Sequence, residues 1–95
     1  MKYFIANGNI LGIGGFDALF SVEDSLFEEN DYYTIEELLA REYMRLRCNP
    51  RKQRNPGSRE MQRPYAVAIL YAYEVSEDFV TEFGSRWSNI TLSGD

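Results

Sequence analysis

Two carboxylates stand where a carboxylate could do acid–base work. Glu42 falls on the apolar arc that Leu38, Leu39 and Leu46 define at helical spacing, and Glu74 falls on the alanine-rich side of a strand-like run. Burial disfavours the charged form of a carboxyl group and lifts its pKa toward the range useful to a general acid or base. The plainer alternative gives Glu42 a structural partner, Arg45, Arg41 or a tyrosine hydroxyl, because ordinary ion pairs perturb carboxylates too. Cys48 sits among arginines, which favour a thiolate. The sequence holds no histidine to act as its base, which argues against a cysteine hydrolase. One cysteine also makes no internal disulfide, and without histidine the usual zinc and iron constellations are missing. Gly8, Gly12, Gly14 and Gly15 form neither G-x-G-x-x-G, since Asp17 takes the third position, nor a Walker A loop. They suggest a flexible strand-to-helix connection. No cofactor, metal or catalytic set is therefore expected, and binding is the better-supported role.

Charge is what the chain organises. Residues 1–40 hold one basic and eight acidic residues, residues 41–63 eight basic and two acidic, and residues 64–95 one basic and five acidic. The blocks carry -7, +6 and -4 within a total of -5. The positive block centres on "CNPRKQRNPGSREMQRP", residues 48–64, bounded by prolines and without periodicity. Exposed ion pairs contribute about 0–1 kcal/mol each, against about 1–2 kcal/mol to fix each residue's backbone. Pairing with the acidic body would not hold so long a segment in one shape, so a mobile basic loop is expected over 48–64. Arg45, Arg47, Arg51, Lys52, Arg54, Arg59 and Arg63 are the candidate partner-binding residues of the basic segment 45–63. A solvated loop with no partner is the bland alternative.

The elements that must position these charges follow from punctuation and period. Asn7-Gly8 between apolar runs suits a type I′ turn, predicting strands at 2–6 and 9–13. Phe16, Leu19, Val22 and Leu26 recur at helical spacing, so residues 16–31 are expected as one helix, or as two if Ser21 caps a second. In one helix, Asp17, Asp24, Glu28 and Asp31 fall in a single acidic stripe, their offsets of 7, 11 and 14 returning near the same angle. Thr34 and Glu37 form a capping box ahead of a helix over 35–47. A strand is expected over 65–75, with Tyr65, Val67, Ile69, Tyr71 and Tyr73 on one side and Tyr71 in the core. Ser76 caps a short helix that Gly84 stops, and a last strand runs near 87–92.

Together these give one α+β domain over 1–95: a small antiparallel or mixed sheet, made of the N-terminal hairpin plus strands near 65–75 and 87–92, covered by two or three helices, with one sheet face taking them. No apolar run reaches the roughly 20 residues of a membrane span, and the N-terminus does not read as a signal peptide, so a soluble, cytoplasmic protein is expected. A protein is the expected partner, met through the acidic stripe or the basic segment, as a small regulatory or inhibitory module would do. A phage-type inhibitor of a host nucleic-acid-handling protein fits the size and charge, since an acidic row can imitate phosphates in a basic groove. The alternative is nucleic-acid binding through residues 45–63, opposed by the acidic balance of the rest. A homodimer is also compatible with the tyrosines.

Overall fold

The computed structural model describes residues 1–48 and 66–93. The expected basic loop over 48–64 therefore lies almost wholly outside the described residues.

The first strand does not end at Asn7. β1 runs Lys2–Ile10 and β2 runs Gly14–Val22, antiparallel, with Asn7 opposite Asp17 and Gly8 opposite Phe16. The turn instead uses Gly12 (φ +87°) and Gly14 (φ +125°), backbone angles that side-chain-bearing residues rarely adopt. Gly8 is glycine for another reason: a Cβ there would lie 2.7 Å from the Ala68 carbonyl oxygen and 2.7 Å from the Phe16 ring. The glycine cluster is thus a strand-to-strand hairpin, not a strand-to-helix connection.

The helix expected over 16–31 is also overturned, because most of that segment is β2. Phe16, Ala18, Phe20 and Val22 share one face, while Leu19 is fully buried on the other. β2 alternates for most of its length, with Asp17 exposed and Ser21 half-buried on the side of Leu19; buried Leu19 breaks that alternation and lets the apolar residues match a helical period by coincidence. The helix that follows, α1 (Asp24–Glu29), begins after Glu23 without a side-chain cap, so Ser21 caps nothing.

α2 (Ile35–Cys48) forms where the capping box places it, with the Glu37 amide donating to Thr34 Oγ1 at 3.2 Å. Leu38 and Leu39 are buried, and Tyr43 sets its ring 5.5 Å from Phe16 and 5.7 Å from Phe20. Each large apolar side chain so buried contributes about 1.5–3 kcal/mol.

β3 (Val67–Val75) pairs antiparallel with β1, but the register shifts between Asn7 and Gly8: Gly8 faces Ile69, Asn7 faces Tyr71, and Leu70 is left over. This bulge inverts the expected alternation. Val67 and Ile69 face the core, then Ala72 replaces Tyr71 there, and Tyr71 and Tyr73 are exposed. Ser76 caps α3 (Glu77–Phe83), its Oγ accepting from the Phe79 amide at 3.1 Å. A 3₁₀ turn at Gly84–Arg86 leads to β4 (Ser88–Leu92), parallel to β2.

The sheet is mixed, in order β3-β1-β2-β4. β2 and β3 are both antiparallel to β1 and hence parallel to each other, so two crossovers traverse the sheet in opposite directions. Right-handed crossovers in opposite directions place their helices on opposite faces. That is the arrangement found: α1 and α2 pack with Phe4, Ala6, Ala18 and Phe20, while the Gly84 end of α3 packs on Leu19 from the other side. The expectation that one face takes all the helices is corrected accordingly.

Candidate interaction surfaces

The four residues of the expected acidic stripe do not share an element. Asp17 lies on β2, facing away from the α2 side, and accepts from Asn7 Nδ2 at 2.7 Å. Asp24 opens α1 and pairs with the α-amino group of Met1 at 3.0 Å. Glu28 follows one turn later on the same helix face, and Asp31 lies in the turn beyond. A stripe through Asp17 fails because the residues between it and Asp24 are extended. Asp24, Glu28 and Asp31 remain exposed neighbours in sequence on the α1 side, joined by Glu29 and by Glu37 in the first turn of α2.

Beside these carboxylates stands an aromatic pair. Tyr32 is 73% exposed, its ring is 4.4 Å from that of Tyr33, and the Arg41 guanidinium lies 4.5 Å from the Tyr33 ring. The side-chain hydrogen bond with Tyr32 holds the Tyr33 phenol above its ordinary 10.0, desolvation adds to this, and Arg41 opposes it.

Of the basic candidates, Arg45 and Arg47 stand in the last turn of α2. Arg45 Nη1 pairs with Glu42 Oε1 at 3.1 Å, and the Arg47 guanidinium lies 5.7 Å from the Tyr43 ring. Arg51, Lys52, Arg54, Arg59 and Arg63 lie outside the described residues. Glu42 is 5% exposed and meets its charge in Arg45, whereas Glu74 is exposed on β3. Among the described residues no group of three or more cysteines or carboxylates could hold a metal ion.

The electrostatic consequence is specific. Arg45 is taken up by its own helix, and Glu28, Glu29, Asp31 and Glu37 form no ion pair among the described residues. Among the described residues, these four carboxylates of the α1 side are thus left without a neutralising ion pair.

A second surface is one that spacing leaves open for Tyr73, as binding face or core, and denies to Tyr71 by placing it in the core. β3 is an edge strand, and it exposes Leu70 (66%), Tyr71 (44%) and Tyr73 (62%), the two rings 5.3 Å apart. The sequence does show the tyrosines, but nothing in it marks the bulge that turns them outward.

No described helix is long and apolar enough to cross a membrane. No model of a known protein family matches the chain, and comparison with curated proteins and with solved structures gives no match either.

Proposed function

We propose that this protein is a small non-catalytic module, regulatory or inhibitory, that docks on a protein partner through its acidic α1 side. The observation that carries this reading is the set of exposed carboxylates Glu28, Glu29, Asp31 and Glu37 with no cationic partner in the described fold. Such a set raises the rate of encounter with a positively charged surface and disfavours partners of like charge. Tyr32, exposed in their midst, supplies the rigid aromatic anchor on which interface energy concentrates. The partner that fits is a protein with a basic groove, such as one that handles nucleic acid, and a phage-type inhibitor acting in the host cytoplasm is the biological form we favour.

The test is capture from a host extract with the wild-type protein and with Glu28→Gln/Glu29→Gln/Asp31→Asn. A basic protein retained by the former, lost by the latter and released by added duplex DNA is the expected result. Equal retention by both would contradict it. Direct binding of oligonucleotides by the purified protein, with a log–log salt slope near -4 to -5 for about five phosphates, would instead favour nucleic-acid binding through residues 45–63.

A further inference from the structure

The outer side of β3 calls for its own explanation. Edge strands offer unpaired N–H and C=O groups, and proteins commonly blunt them with lysine, proline, brevity or a bulge. β3 has nine residues, no lysine and no proline, and one charged residue, Glu74. Its bulge spares a regular stretch, Tyr71–Val75, paired on its inner side with Tyr3–Asn7 and on its outer side with no strand among the described residues. Three large apolar side chains, Leu70, Tyr71 and Tyr73, stand exposed along it.

We propose that β3 pairs with β3 of a second copy of this chain, antiparallel about a two-fold axis normal to the sheet, making one eight-stranded sheet. Charge selects this occupant and this direction. Carboxylates are dense on α1, at the start of α2 and along α3, so among the described residues β3, with Glu74 as its one charge, is where a like-charged copy can approach. A cationic partner would find little to grip there. Antiparallel pairing centred on Tyr71–Val75 also separates the acidic starts of α3, Glu77 and Asp78, by about eight residues of strand. At about 3.3 Å per residue that is roughly 26 Å, well beyond a Debye length of about 8 Å at physiological salt. Parallel pairing would stack these acids side by side. A two-fold normal to the sheet keeps the tyrosines of both copies on one face, so four rings form a continuous strip, the aromatic cross-strand pairing that strengthens sheets. Dimerisation uses a different surface from the α1 carboxylates, so either proposal can fail without the other.

Sedimentation velocity across a concentration series, paired with amide hydrogen exchange, tests the dimer. The wild-type protein should pass from monomer to dimer, with amides of Tyr71–Val75 gaining protection in step. Tyr71→Lys/Tyr73→Lys should weaken the dimer by more than about tenfold while keeping the wild-type circular dichroism spectrum, since both side chains are already exposed. Leu11→Lys/Ile13→Lys, at the exposed hairpin tip, should leave it intact. A monomer at every concentration would overturn the proposal. So would outer-edge amides protected in the monomer, or a dimer that responds to the hairpin pair and ignores the β3 pair.

Discussion

At the scale of single residues, Gly8 and Glu42 show how one letter can carry different physics. Gly8 is required by close approach, and alanine there would press on a backbone oxygen that cannot swing aside. Gly8→Ala should lower stability by about 1–3 kcal/mol, the range for overpacking, read as a fall in the urea midpoint at constant slope. An unchanged midpoint would place the glycine in open space. Glu42 is buried with one cation beside it, and Arg45 is mostly exposed. Arg45→Ala should therefore cost about 1–3 kcal/mol by leaving a buried carboxylate unmet, whereas Glu42→Leu should be close to neutral. Equal losses in the two variants would contradict a purely structural carboxylate. Tyr33 adds a pH dependence. Because the fold raises its pKa, its contribution to stability is fully present below the ordinary value of 10.0 and is lost as pH rises through the folded value. Absorbance titration should show one phenol ionising late, and Tyr32→Phe should remove that delay.

At the scale of elements, legibility followed local chemistry. The caps Thr34 and Ser76 announced α2 and α3, and both make the hydrogen bond expected of them. Ser76→Ala should cost about 1 kcal/mol in equilibrium unfolding, and no change would mean that packing alone holds α3. β4 and the core of β3 were legible for similar reasons, in the turn and alternation signals around them. β2 was not, because the Gly84 end of α3 covers Leu19 from the far side and so buries one apolar residue on the face that Asp17 and Ser21 otherwise keep polar; a local window cannot see that cover. The true hairpin turn lay in Gly12 and Gly14, hidden behind a stronger Asn-Gly signal that packing had claimed. The bulge opposite Asn7 and Gly8 was invisible for a related reason. It comes from matching two strands, and the alternation of β3 alone, which points Tyr71 to the core, carries no trace of it.

At the scale of the whole molecule, charge segregation was plain in the sequence, but its geometry was not. The acidic stripe lost Asp17 to another element, and what remains of it stands with Glu29 of α1 itself and Glu37 in the first turn of α2. What survives is an acidic side on which Glu28, Glu29, Asp31 and Glu37 form no ion pair among the described residues, together with an edge strand that carries one charged residue. The most direct measurement is the affinity of the captured partner for the wild-type protein and for Glu28→Gln/Glu29→Gln/Asp31→Asn across a range of salt. We expect about tenfold or greater weakening on neutralisation at low salt, with the two proteins converging as salt screens the field. Identical affinities and identical salt dependence in both proteins would contradict docking through the α1 carboxylates.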